Sequence, residues 1–398
     1  MGRHPAGVVR LAAMNRLRRV AFVVTALASA AVTVAVLTRL GTESEGPLAR
    51  VMDDAGERVA ALEHRIRERL TGGSARERAL AWFARDRNDA GWLRHPDRVL
   101  LGAYSSDVTS TLDGVVALEG AIGSTLPLIQ VYVAWGDKPH EQFPGRLAAA
   151  IWDAASMPVI TWEPWLTDFE NTAHPGLPLR AARDRHGLAA VARGDYDFYV
   201  DAWASDAARF GHPFFLRFGH EMNDPYRYPW GPQNNTKEEF IAAWQHVRQR
   251  FARAGARNAI WVWSPHVAYP WWETYYPGDG NVDWVATGAL NFGELGQQWS
   301  HWWPFDDIFG RHYDRLAAFG KPVMIAELGS LAVGGDPAAW YRNALAHMPS
   351  RYPAVRAVLF FEVPNDQTVT YQKVDWSIAS DLEVAKAVQQ AVAGWERQ

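Results

Sequence analysis

No cysteine occurs in the 398 residues, which removes disulfides, thiolate metal sites and a cysteine nucleophile from the available chemistry. A surplus of positive charge is missing as well. Asp and Glu number 44 against 40 Lys and Arg, for a formal net charge of −4, so the chain lacks the basic footprint of a nucleic-acid binder and no such partner is expected. No Gly-x-Gly-x-x-Gly turn follows the first β-rich run, which argues against a dinucleotide-binding open sheet. At His220-Glu221 the second histidine of a zinc-protease motif is absent, because position 224 is Asp224. His212, His301 and His312 have no ligand spacing, and Ser330 lacks the Gly-x-Ser-x-Gly elbow of an esterase. No metal and no cofactor are therefore expected in the chemistry.

What is present is an ordinary globular composition, 48% hydrophobic and 21% charged, with 20 tryptophans. Trp is large, rigid and amphipathic, so this enrichment suits a surface that stacks on ring-shaped ligands as well as a core. Near the N-terminus, Val20 to Leu37 carries no charge, with five arginines before it and Arg39, Glu43 and Glu45 after it. A helix of that length spans about 27 Å, close to the hydrocarbon thickness, and the positive flank stays cytoplasmic. The expectation is a single-pass signal-anchor that tethers an extracellular domain to the cell membrane. The competing reading is secretion after cleavage at Ala28-Ser29-Ala30. Val51, Ala55, Val59, Leu62, Ile66 and Leu70 then recur at helical spacing. This gives three expected parts: residues 1–40 (basic stub and signal segment), 41–95 (linker and amphipathic helical stalk) and 96–398 (the main domain).

From Val99 the chain alternates short β-rich runs with helical patterns, as a parallel sheet with crossover helices does. Eight runs are found: VLLGAY from Val99, LIQVYVAW from Leu128, PVITWEPW from Pro158, FFLRFGHE from Phe214, AIWVWS from Ala259, WVATGALNF from Trp284, VMIAELGS from Val323 and AVLFFEV from Ala357. Helices are expected over Tyr196 to Phe210, over Lys237 to Ala254 behind the capping box Thr236-x-x-Glu239, and over Phe305 to Phe319. Eight such units predict an α/β fold, the (β/α)8 TIM barrel, with a site at the carboxyl ends of the strands.

Polar residues gather at those ends: Glu163, His220, Glu221, His266, Glu327 and Glu362. Alternation puts Phe215, Arg217, Gly219 and Glu221 on one face, and Val323, Ile325 and Glu327 on one face of the seventh run. Each glutamate then ends an inward stripe at the barrel mouth. Two carboxylates about 5 to 5.5 Å apart can divide the labour of retaining glycosidic cleavage, one as nucleophile and one as acid and then base. Arg217, below Glu221 on the same face, keeps a neighbouring carboxylate ionised. Trp135, Trp162, Trp165, Tyr226, Trp230, Trp263, Trp271 and Trp272 are expected along a sugar-binding groove, and Asn223 in the loop beside it.

The stretches FLRFGHEMNDPYRYPWG and KPVMIAELGS resemble glycoside hydrolase family 26. The likeness extends to ITWEPW, VWSPH, YYPGDGNVDW and VDWSI and covers roughly 99–378. It implies Glu221 as acid/base, Glu327 as nucleophile, His220 as a sugar-positioning neighbour and Trp230 in a substrate-lining loop. Two departures stand out. Asn291 occupies the end of the sixth run, where the family has an aromatic hydroxyl for the nucleophile, and Phe360, Phe361 and Glu362 replace a Trp platform on the eighth. The resemblance implies an endo-acting hydrolase of β-mannan or of β-1,4- or mixed-linkage glucan. An exopolysaccharide-remodelling transglycosylase and a non-catalytic polysaccharide-binding barrel are its alternatives.

Overall fold

All eight runs become parallel strands of one closed barrel in a computed structural model that describes residues 73–109, 111–295, 301–368 and 372–395. The strands are β1 (Leu100–Ser105), β2 (Leu128–Ala134), β3 (Met157–Glu163), β4 (Phe214–Phe218), β5 (Ala259–Trp263), β6 (Trp284–Asn291), β7 (Val323–Ser330) and β8 (Val355–Glu362). Each pairs with its neighbours in chain order, and β1 closes on β8 through Leu100 to Ser105 against Ala357 to Glu362. Two expected helices form at Asp197–Phe210 and Lys237–Arg253, the second capped reciprocally by Thr236 and Glu239. The third is a wider π turn at Asp306–Gly310 running into an α-helix at Arg311–Ala317.

Period-two alternation sorts the barrel into two cores. Inside lie Leu100, Leu128, Val159, Phe215, Ile260, Ala286, Met324 and Leu359 with their neighbours, drawn from every strand. Outside, Ile129, Ile160, Leu216, Trp261, Val285, Ile325 and Val358 pack against the helices. Strand β7 corrects the expected face: Val323 and Ile325 belong to the outer core, while Met324 and Ala326 point in. A bulge then resets the strand. Register slips between β6 and β7 at Thr287/Gly288, so that Gly288 stands opposite Glu327, and between β7 and β8 at Ile325/Leu328. One extra residue re-aims the side chain that follows, which is why Glu327 faces the mouth despite its neighbours.

The opposite end is plugged. Short helices at Gly73–Ala79, Ala81–Asp86 and Ala90–Arg94 deliver Phe83 and Leu93, both fully buried, to the inner core. Trp284 Nε1 donates to Leu93 O at 2.8 Å, and Arg94 pairs with Asp283 at 2.8 Å. Residues 73–95 thus pack as part of the barrel, whose contacts begin ahead of the expected boundary at residue 96; the compact unit runs from Thr71. The segment Val20 to Leu37 and the amphipathic pattern from Val51 to Leu70 lie outside the described residues. Among those described, no helix is long and apolar enough to cross a membrane.

Candidate active site

The inward stripes of β2, β3, β4 and β5 end in polar residues that converge on Glu327. Its Oε1 accepts from Tyr132 OH at 2.6 Å and from Arg217 Nη1 at 2.8 Å. Arg217 is wholly buried; its Nε donates to Ser264 Oγ at 2.9 Å, and Nη1 also reaches Thr161 Oγ1 at 3.3 Å. Gln130 Nε2 donates to Tyr132 OH at 2.8 Å, so the phenol is oriented from behind. Burial pushes the Glu327 carboxyl upward, but the Arg217 charge and the bonds from Tyr132 and Arg217 outweigh it. The group stays ionised, below the ordinary carboxylate range.

Glu221 stands across the mouth in a different setting. It follows Gly219 on a sharp turn in which both residues take φ of +51°, the left-handed region that a non-glycine residue adopts at a cost of order 1 kcal/mol. Its N–H donates to Ser264 O at 2.7 Å, which holds the turn to the end of β5. Oε2 is buried without a hydrogen-bond partner among the described residues, and Arg227 Nη1 stands 3.6 Å away. Between the two carboxylates lies Gly288. A β-carbon there would sit 3.8 Å from both Glu221 Oε1 and Glu327 Oε2, so these oxygens flank a single side-chain-free spot on the barrel rim.

A third carboxyl, Glu163 at the end of β3, accepts from Trp165 Nε1 at 3.1 Å and lies 3.8 Å from His220 Nδ1. Burial raises it to about 7, against the Trp165 bond and the Arg217 charge. Burial, then Arg217 and Arg227, hold His220 well below the usual histidine range, so its ring is neutral. His220 Nε2 meets Tyr228 OH at 3.0 Å. Trp230, 2% exposed, stacks on Tyr228 and donates to His220 O at 2.7 Å; it is the wall behind His220 and offers no open face to a sugar. Asn223 bonds both backbone groups of His266 at 2.9 and 2.8 Å, joining the loops after β4 and β5. Tyr226 stands 68% exposed on the first of these loops.

Several expected groove residues lie elsewhere. Trp135, Trp162 and Trp263 are fully buried on the outward faces of their runs: the first two pack with Tyr199 and Phe218, and Trp263 packs with Trp272, Tyr276 and Phe319. Trp272 is buried with them. Glu362 also points outward, where its carboxylate accepts from the Ile378 and Ala379 N–H groups at 2.7 and 3.2 Å. Asn291 bonds Ser330 Oγ at 3.1 Å and accepts from the Gly293 and Trp303 N–H groups at 3.2 and 3.3 Å. The hydroxyl on the nucleophile candidate comes instead from Tyr132 on β2, a residue that its alternation with Leu128 and Gln130 marks as inward.

Residues 198–347 match glycosyl hydrolase family 26. Endoglucanase H of Acetivibrio thermocellus is 30% identical over 278 residues, 68% of this chain and 28% of that protein. Mannan endo-1,4-beta-mannosidase A and B of Caldalkalibacillus mannanilyticus is 27% identical over 172 residues, 41% of this chain and 30% of that one. The chain thus spans under a third of the length of these curated relatives. In fold it is similar to the Bacillus subtilis mannanase man26, with a TM-score of 0.53 at 19% identity over 76% of this chain and 87% of that one. A β-mannanase from Bacteroides ovatus gives 0.54 at 16% identity, over 81% and 93%. The matched segment carries both Glu221 and Glu327, so the likeness of this chain to glycosyl hydrolase family 26 takes in the two rim glutamates.

Proposed function

We propose that the barrel hydrolyses a β-linked polysaccharide, either β-mannan or a β-1,4- or mixed-linkage glucan, by double displacement with net retention. The observation that carries this reading is the unequal treatment of two carboxylates flanking Gly288. Glu327 has Oε1 tied to Arg217 and Tyr132 and Oε2 turned to the open spot, the state of a nucleophile that must remain charged. Glu221 has an unpaired oxygen and lies opposite, where a proton donor for the glycosidic oxygen belongs. Glu327 Oε2 attacks the anomeric carbon as Glu221 protonates the departing oxygen. Glu221 then takes a proton from water, whose oxygen displaces Glu327 and restores the free carboxylate. The names of the relatives, an endoglucanase and a mannan endo-1,4-β-mannosidase, support the two substrate classes.

The test is a screen of β-mannan, glucomannan, mixed-linkage glucan and β-xylan with product anomers followed by NMR. Retention with one of the first three is expected. An inverted anomer, or full activity in Glu327→Gln, would overturn the mechanism. We also propose that residues 20–37 tether the enzyme to the membrane with the barrel outside the cell. Recovery of the protein in the medium, with an N-terminus near Ala31, would refute that.

A further inference from the structure

We infer that Glu221, Asp224 and His266 form an inhibitory site for a divalent transition-metal ion of the zinc class. One ligand atom from each lies within 4.8 Å of the others. Asp224 is fully buried, and its Oδ1 accepts from the Tyr226 and Arg227 N–H groups at 2.7 and 3.3 Å. Its Oδ2 has no hydrogen-bond partner among the described residues, nor have Glu221 Oε2 and His266 Nδ1. A buried polar atom left unpaired costs about 1–3 kcal/mol, and here three gather in one place. Each is an atom type that can ligate a cation through a lone pair. Asn223 pins the His266 backbone through both its N–H and its C=O, which fixes the residue's place beside Glu221 and Asp224.

An imidazole nitrogen with two carboxylate oxygens suits zinc better than magnesium or calcium, which take all-oxygen shells. The competing cation is Arg227. It stands 3.6 Å from Glu221 Oε2 at more than hydrogen-bond distance, and its side chain is 35% exposed, so it can withdraw into solvent. Metal on Glu221 occupies the oxygen that has to carry a proton. Zinc is therefore an inhibitor here. Binding stands apart from the proposed function, and only the inhibition rests on it.

The experiment titrates the purified full chain with zinc chloride by calorimetry and locates the ion by anomalous diffraction at the zinc edge. One zinc per chain on these three residues is expected, with loss of hydrolysis that EDTA reverses and no comparable binding of magnesium. Asp224→Asn keeps the oxygen that accepts from Tyr226 and Arg227 but removes the second, and weakens zinc by about tenfold or more. No bound zinc, an anomalous peak elsewhere, equal magnesium binding or unchanged affinity in Asp224→Asn would overturn the site. Zinc seated there with hydrolysis undiminished would overturn its inhibitory role. Absence of hydrolysis in the metal-free enzyme would count against the proposed function alone, because the anomalous peak is read without activity.

Discussion

A single hydroxyl, that of Tyr132, shares with Arg217 the task of holding charge on Glu327. A hydrogen bond to a charged group contributes about 1.5–3 kcal/mol, so Tyr132→Phe should lower kcat by about 10- to 100-fold with little change in thermal stability. Steady-state kinetics and a melting curve on one sample separate the two effects. Arg217→Gln is harsher, since it leaves a buried carboxylate without its counter-ion. A loss of about 3–5 kcal/mol is expected, measurable by urea unfolding. Glu163 gives the opposite pH signature. Its carboxyl is raised to about 7 from an ordinary 4.5, so the folded state holds the proton more tightly and stability falls as pH rises across that window. Glu163→Gln should flatten the decline by an amount on the order of 2 kcal/mol after solvent screening. Melting temperatures that fall equally in both proteins would exclude Glu163 as the source.

At the scale of strands, the outer tryptophans set the balance between packing and binding. Trp162 lies against Trp135, Trp203 and Phe251. Trp162→Ala should therefore cost about 3–5 kcal/mol while KM of the folded fraction stays unchanged; a raised KM with normal stability would return that ring to the groove. Composition singles out tryptophan but assigns it no face, whereas alternation does: with Tyr132 and Glu163 inward, Trp135 and Trp162 must point out. The strands themselves were legible because β-branched and aromatic runs recur between helical patterns. The face of β7 was not. A bulge depends on register with β6 and β8, which are partners distant in sequence, so Val323 and Ile325 were read to the wrong side although Glu327 was read to the right one. Asn291 and Glu362 illustrate another limit, since a polar residue at a strand end serves a loop as readily as a ligand.

For the whole molecule, the plug of short helices is what closes the barrel away from the rim that carries Glu221 and Glu327. A chain beginning at Thr71 should fold and keep the melting transition of the barrel, because the compact unit starts there. One beginning at His95 loses Phe83 and Leu93 from the inner core, each worth about 1.5–3 kcal/mol of burial, together with the Arg94 to Asp283 pair. Differential scanning calorimetry of the two truncations checks this; equal melting temperatures would show the plug to be dispensable. The buried indoles carry a consequence for anyone who studies this protein by light. Among the described residues eight tryptophans are almost wholly removed from water, among them Trp135, Trp162, Trp263 and Trp376, so their share of the emission is blue and reports loss of the shell on denaturation. A sugar arriving at the rim leaves those rings in the same surroundings, so any quenching on titration reports on rings outside this set, such as Trp165 beside Glu163.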